Sequence, residues 1–395
     1  MRIVYAARTI LDYRIPVFKA LNEIKGVDLN VLLNGDAIPA SIMIEAQNNL
    51  HGALHILHGE RKIVIGDPSK DHSNKWFRLP YQPGIIKLIR SLKPDVLVGD
   101  GFFQWTFYLL IIHLLEKTPL VICYERTHYT ERNAQWIRKV YRRFVLRHTS
   151  AICCSGSLCK EYVLSLGMES ERITVGHMVV DVEQFSKYIP SLDESKETLN
   201  AQHGSGNEIR FLYVGSLIDK KGILQLIKAW IKWSSNEEPN AVLSIVGTGY
   251  LEVYLKDLVR RSNVDNIIFL GTIDNKKLPS VYKKANIFII PTLEDNWSLV
   301  VPEAMASGLP ICTSKYNGCW PDLVLSDRNG WIFDPYNEES IITTLREVAI
   351  NRKRLSTMGS ESVKIISEYN PQRAAKSIYN AIIIAQNRKI TKIEG

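Results

Sequence analysis

At 395 residues the chain is too long for one typical hydrophobic core, so two domains are expected. Its 46% hydrophobic content, 23 Gly and 16 Pro are ordinary for a globular protein, and no repeat or low-complexity tract interrupts it. A formal net charge of +8 favours an anionic partner, whether nucleic acid, anionic lipid or a phosphorylated substrate, without choosing among them.

The amino terminus enters a strand at residues 2–6, and the apolar stretch behind Arg2 is too short for a signal peptide. Residues 107–115 form the longest apolar run nearby, far too short to span a bilayer. Cys123, Cys153, Cys154, Cys159, Cys312 and Cys319 lack zinc-site spacing and read as reduced core thiols of a cytosolic protein. A helix opens near Tyr13, and residues 27–33 form the next strand. Residues 48–80 are polar and interrupted; they hold His51, His55, His58 and His72, but no carboxylate completes a metal set, so these read as surface or loop histidines. A strand over 94–100 ends at Asp100 between two glycines, and residues 105–115 follow as an apolar helix. The strand over 119–125 delivers Glu125 to its carboxyl end, with His128 three residues on. Residues 132–147 alternate Arg132, Arg138, Lys139, Arg142, Arg143 and Arg147 with Trp136, Ile137, Val140, Tyr141, Phe144 and Val145. The apolar set is expected to pack on the sheet while the cations face outward. Such a face suits anionic lipid, plain solvent or a neighbouring domain. A strand and turn at 150–156 and a helix at 158–166 complete this half.

Residues 186–207 are rich in Ser, Glu, Asp, Lys and Gly and read as a linker. A second α/β domain starts with the strand from Ile209 to Gly215, then Ser216, Lys220, Lys221, Gly222 and a helix over 223–233. Gly247 and Gly249 end the next strand; alone they are a weak nucleotide motif, and the Rossmann dinucleotide pattern is absent. A third strand ends at Gly271 and Thr272. Ile287–Ile290 is a short apolar run stopped by Pro291, hence a buried parallel strand. Residues 292–298 form the loop at its carboxyl end, and a helix runs from Pro302 to a cap at Gly308. Ligands of open α/β sheets sit at such strand ends. Asp295 and Glu303 stand there with seven residues between them, and Glu294 could take the first role if the register differs by one. Helices at 338–349, 360–367 and 374–385 close the chain.

The strand, Pro291 and Thr292, the acid pair at this spacing, the run from Glu303 to Gly308 and the following Pro310-Ile311 together resemble the signature of retaining, nucleotide-sugar-dependent glycosyltransferases of family 4, the group 1 type. The resemblance implies the GT-B fold: two Rossmann-like α/β domains facing each other across a cleft. Residues 1–185 would bind the acceptor and 208–367 the nucleotide sugar, with 186–207 as linker and 368–395 as a helix returning to the first domain. It further implies that Asp295 or Glu294 meets the donor sugar, that Glu303 accepts hydrogen bonds from the ribose hydroxyls, and that the amides of Asn296, Trp297, Ser298 and Leu299 lie where relatives hold the diphosphate. Lys221 matches the lysine that clamps the diphosphate, and Gly215 and Gly222 match the flanking glycines. Ser216 stands where relatives carry a second clamping arginine, so Lys220 or a first-domain arginine is the candidate replacement. Gly271 and Thr272 border the base pocket. Glu125 arrives where relatives have a histidine near the sugar, with His128 as the other candidate. In place of a glycine-rich loop the chain has Arg8 and Arg14, which could approach acceptor or donor phosphates; the alternative for Arg14 is a solvated helix charge. Asp181 would support the loop that leads out of the first domain.

The expected reaction is transfer of a sugar from a nucleoside diphosphate, uridine favoured, to a hydroxyl of a glycan or lipid-linked glycan in bacterial surface polysaccharide or lipopolysaccharide synthesis. Glu125, Asp295 and Lys221 are the catalytic candidates. Front-face attack assisted by the leaving phosphate, with no covalent intermediate, no metal and no cofactor, is implied by the resemblance. The expected setting is cytoplasmic, peripheral at the inner face of the membrane through residues 132–147, without nucleic acid; the oligomeric state stays open. Competing readings are a sugar-nucleotide or glycan binder without turnover, because of Ser216, and a GT-B epimerase. A phosphorylase would need a pyridoxal-binding lysine context that is not seen.

Overall fold

The computed structural model describes residues 1–66, 76–180, 182, 185, 208–237 and 239–394. They fall into two compact units, Met1–Val179 with Pro371–Gly395, and Val180–Asn370. The linker expected at 186–207, and Asp181, lie outside the described residues.

Unit 1 holds β1 (Arg2–Arg8), β2 (Asp28–Asn34), β3 (Leu54–Leu57), β4 (Arg61–Gly66), β5 (Trp76–Tyr81), β6 (Val96–Asp100), β7 (Leu120–Tyr124), β8 (Ala151–Cys154) and β9 (Ile173–Val175). Seven of these form a parallel sheet in the order β3-β2-β1-β6-β7-β8-β9, while β4 and β5 pair antiparallel on their own. Parallel strands are covered on both faces, so they need unbroken apolar runs. β7 and β8 are buried at every residue, and β1 and β2 at all but their ends. The stretch 48–80, read above as polar and interrupted, contains β3 and the β4–β5 hairpin. β3 lies at the sheet edge and is only half-buried throughout, which is why its sequence lacks the apolar run of a central strand. The helix Pro371–Glu394 packs on the helix Ile15–Asn22 and on β7, β8 and β9, within this unit. It buries Ala374, Ala375, Ile378, Ala381, Ile382 and Ala385, and the alanines let its backbone come close to the sheet.

Unit 2 holds β10 (Ile209–Val214), β11 (Ala241–Val246), β12 (Ile267–Gly271), β13 (Ile287–Ile290), β14 (Ile311–Ser314) and β15 (Gly330–Phe333). All pair parallel, in the order β12-β11-β10-β13-β14-β15. Building outward from β10, the order reverses between β10 and β13, so the loops leaving these two strands diverge and open a crevice at their carboxyl ends. The core centres on Phe211, Trp230 and Trp233, packed edge to face at 5.1 and 5.2 Å. Both indole N–H groups are satisfied, by Asn266 at 3.0 Å and Glu237 at 3.1 Å. The helix after β13 is Val300–Ala306, two residues earlier at its start than the sequence suggested. All six cysteines are buried free thiols. Among the described residues no helix is long and apolar enough to cross a membrane.

Candidate functional site

The loops at the β10/β13 switch point are pressed together by backbone contacts. After β10 the chain makes a single turn, Asp219–Lys221, and enters the helix Ile223–Glu237 through Gly222 at φ +67°. A Cβ at that glycine would run into the Pro291 carbonyl, so only glycine lets the two loops meet. The Lys220 carbonyl accepts from the Leu293 amide at 2.8 Å and the Thr292 hydroxyl at 3.1 Å. This stapling places Lys221 Nζ 2.5 Å from Asp295 Oδ2. Ser298 Oγ donates to the same oxygen at 2.6 Å, and the Trp297 amide donates to Oδ1 at 3.2 Å. Lys220 instead pairs with Glu294 at 3.4 Å, where the ammonium is mostly exposed. Of the two candidate acids, Asp295 is therefore the one that faces Lys221.

The loop after β14 forms a third wall. The Gly318 amide donates to the Asp295 carbonyl at 3.0 Å, and a Cβ there would collide with the Asn296 carbonyl. Asn317 is fully buried; its Oδ1 accepts from the Ser298 amide at 3.4 Å and its Nδ2 donates to Thr313 at 3.1 Å. Sequence reasoning passed over Asn317 and Gly318, although an Asn-Gly dipeptide just past a strand is a turn signal. The amides expected to hold the diphosphate have partners within the protein. Of the four amides at 296–299, those of Trp297 and Ser298 are already engaged by Asp295 and Asn317. Short polar side chains beside a tight turn accept from nearby backbone amides.

Glu303 sits in the first turn of Val300–Ala306, where its Oε2 accepts from Tyr282 Oη at 2.9 Å. Tyr282 is fully buried, edge-on to Phe185 at 5.9 Å. Burial and then the Glu303 carboxylate push this phenol well above its ordinary pKa, so it remains a donor. Tyr282 is a further residue the sequence reading missed. Ser216 is exposed, and its carbonyl accepts from Tyr213 Oη at 3.0 Å. Gly271 ends β12 at φ +67°, and the Thr272 hydroxyl lies 3.3 Å from that of Thr248. Trp297 is buried.

In unit 1, Glu125 follows β7 directly and is half-buried, while His128 is exposed and edges the Tyr162 ring at 5.1 Å. Arg8 and Arg14 are each held by a carboxylate of unit 1. Arg8 makes a two-pronged pair with Glu60 at 2.7 and 2.9 Å, and Trp105 Nε1 donates to the same carboxylate at 2.9 Å. Arg14 is no solvated helix charge: it pairs with Asp100 at 2.8 Å and donates to Tyr5 Oη at 2.5 Å. His177 is buried, and its Nε2 donates to the Tyr124 carbonyl at 2.9 Å. Burial lowers its pKa to about 4. Among the described residues no group of three or more His, Cys, Asp or Glu is placed to hold a metal ion.

Residues 195–364 match the family model described as Glycosyl transferases group 1, and residues 49–184 match that of Glycosyltransferase Family 4. The chain belongs to the group 1, family 4 glycosyltransferases. Among curated relatives in this family, the sulfoquinovosyl transferase SQD2 of Arabidopsis thaliana is 25% identical over 313 residues, 76% of this chain and 59% of that protein. An Escherichia coli UDP-Gal:alpha-D-GlcNAc-diphosphoundecaprenol alpha-1,3-galactosyltransferase is 26% identical over 250 residues, 60% of this chain and 61% of that one. The chain thus spans about three fifths of the length of these relatives. The crystal structure of Anabaena HepE with UDP covers 100% of both chains with a TM-score of 0.69 at 16% identity. That likeness shows the fold, and the fold is GT-B.

Proposed function

We propose that this glycosyltransferase moves a sugar from a nucleoside diphosphate sugar, with uridine as the base, to a hydroxyl of a glycan or lipid-linked glycan, with retention at the anomeric carbon. The observation that carries the reading is the Lys221–Asp295 pair at the β10/β13 switch point, 2.5 Å apart, with Glu303 held by Tyr282 on the helix that follows. The leaving group is a diphosphate, and charge grows on it as the glycosidic bond breaks, so a positioned cation lowers the barrier. A phosphate arriving at this crevice competes with Asp295 for the Lys221 ammonium. As Lys221 turns to the diphosphate, Asp295 is released from the pair, while Ser298 keeps it oriented toward the sugar hydroxyls. Glu303, with one oxygen on Tyr282, takes the ribose hydroxyls. Gly271 and Thr272 border the base. Glu125, in the other unit, is proposed as a sugar contact, with His128 as the other candidate. The names of the Escherichia coli relative, which specify a UDP-sugar donor and a diphosphoundecaprenol-linked acceptor, support the donor class and a lipid-linked acceptor in surface polysaccharide assembly. The chemistry is proposed to run on these side chains and amides without a metal.

A thermal-shift screen across nucleoside diphosphate sugars tests the reading. One donor should raise the melting temperature of the wild type, and Lys221→Ala and Glu303→Ala should each blunt that rise. No shift with any donor overturns it. A shift without turnover on any acceptor would leave a binding protein, the reading that the exposed Ser216 in place of an arginine favours.

A further inference from the structure

Unit 1 carries a groove of about 460 Å³ lined by Tyr81, Gln82, Gly84, Ile85, Lys87 and Tyr108, none of which is assigned to the reaction. Its floor is fixed by hydrogen bonds. Tyr108 Oη accepts from the Gln82 amide at 2.8 Å and donates to the Pro80 carbonyl at 2.9 Å. The Gln82 side chain is only 2% exposed, and its Nε2 donates to the His58 carbonyl at 2.8 Å, which sets the orientation of the amide group. Oε1 is thereby left as an acceptor that no donor among the described residues answers. An enclosed carbonyl oxygen without a donor is costly, and a bound group that supplies one removes the cost. The rim has the opposite polarity. The helix Ile85–Leu92 starts at Gly84 with no side chain capping it, so its first amides remain donors. Lys87 is exposed, whereas Arg90 is drawn off to Glu116 at 2.6 Å. The Tyr81 ring is 50% exposed.

We propose that this groove is a sugar subsite, holding a unit of the acceptor glycan other than the one that receives the transferred sugar; the inference rests on the reading that the acceptor is a glycan. An anion would suit the helix amides and Lys87 but would meet the bare Gln82 oxygen. A hydrocarbon chain would leave that oxygen unanswered. A hydroxyl answers both, since it donates to Gln82 Oε1 and accepts from an amide or from Lys87. The apolar C–H face of a pyranose matches the exposed ring of Tyr81. A volume of this size lies within the range of small-ligand sites. Position names the acceptor as the occupant. His58 directly follows β3, so Gln82 sits at the carboxyl edge of the unit 1 sheet, the edge to which β7 delivers Glu125.

Titration of the full chain, with isotope-labelled isoleucine methyls, against the methyl glycosides of glucose, galactose, mannose and N-acetylglucosamine tests the site by NMR, because Ile85 and Ile86 line it. At least one glycoside should shift both methyls to saturation. Tyr81→Ala should weaken that binding about tenfold with the melting temperature unchanged, since it removes a ring that stands half in water. Gln82→Met, which keeps the volume, should weaken it about fivefold. No shift with any glycoside overturns the proposal, as does binding that Tyr81→Ala leaves intact. So does a response of these methyls to inorganic phosphate or to butanol alone. The donor reading is judged separately. A nucleoside diphosphate sugar that raises the melting temperature while Ile85 and Ile86 ignore every glycoside removes the subsite and spares the transfer reaction, and glycoside binding without any donor shift does the reverse.

Discussion

The carboxyl edges of the two sheets share a topology and differ in chemistry. In each unit the strand order reverses beside the first strand, at β1/β6 in unit 1 and at β10/β13 in unit 2. In unit 1 that edge is filled by the protein's own charges: Arg14 lies against Asp100 and Tyr5, with its guanidinium 5.3 Å from the Phe18 ring centre, and Arg8 grips Glu60 with two bonds. Unit 2 places ammonium groups there instead, Lys221 on Asp295 and the mostly exposed Lys220 on Glu294. A guanidinium fork matched to a carboxylate and stacked on an aromatic ring resists displacement, whereas an ammonium on a flexible stem exchanges one anion for another. The fold supplies a crevice twice, and on the proposed reading the cation type decides which one accepts a phosphate.

Substitution at the two edges should therefore separate activity from stability. Lys221→Ala should lower kcat by about 10²–10³-fold, the cost of losing one transition-state donor, or about 3–4 kcal/mol on the barrier. The melting temperature should barely move, because the ion pair is partly solvated and Asp295 retains Ser298 and the Trp297 amide. Equal losses of activity and stability would erase the contrast.

The next effect belongs to unit 1 alone. His177 is neutral in the fold with a pKa of about 4, against about 6.5 for a free imidazole. Above pH 6.5 neither state carries the proton, and stability is full. As pH falls from 6.5 to 4 the unfolded chain binds a proton that the native unit does not, so stability drops by up to roughly 3 kcal/mol and then levels off. Amide exchange in β7 and β8 should accelerate over that window, and His177→Gln should flatten the response. An unchanged pH profile in the variant would assign the acid sensitivity elsewhere.

What the sequence made legible follows from what each feature depends on. Parallel strands such as β7, β10 and β13 announce themselves because burial on both faces demands an unbroken apolar run. Asp295 and Glu303 could be singled out because their spacing is local to one loop and the helix that follows it, and Lys221 because it sits in a short glycine-flanked turn. Edge strand β3 escaped, since a half-buried edge strand needs no such run, and the β4–β5 pair lies in the same polar stretch. The pairing of Arg8 and Arg14 was hidden for another reason. Their partners Glu60 and Asp100 lie 52 and 86 residues away, and nothing local distinguishes a paired arginine from a free one. The helix Trp136–His148 shows the same limit. Val145 turns inward as expected, but so does Arg142, captured by the enclosed Glu131, while Trp136, Ile137, Val140 and Phe144 face outward.

Arg14→Met sharpens the comparison from the side of unit 1. It removes the fork, leaving Tyr5 Oη without its donor and Asp100 with the Tyr5 hydroxyl, which still donates at 2.7 Å. The loss should be about 2–3 kcal/mol, below that of a wholly buried pair because Asp100 retains some contact with water. The melting temperature should fall while the shift produced by a nucleoside diphosphate sugar stays at its wild-type size. A reduced donor shift would mean that the unit 1 edge also takes part in donor binding.

The smallest effect is the most diagnostic of how Glu303 is used. Tyr282→Phe removes one hydroxyl and keeps the ring against Phe185 and Phe288, so the core should survive. Glu303 would lose the bond that fixes its Oε2, a charge-assisted contact typically contributing about 1–2 kcal/mol. If Glu303 meets the ribose, that cost falls on ground state and transition state alike. Donor KM should then rise by about tenfold while kcat stays within a factor of two or three. A tyrosine that served only to pack the core would alter neither constant at temperatures below melting. A fall in kcat with KM unchanged would instead place Glu303 at the departing diphosphate, and the roles drawn here for Glu303 and Lys221 would have to be redistributed.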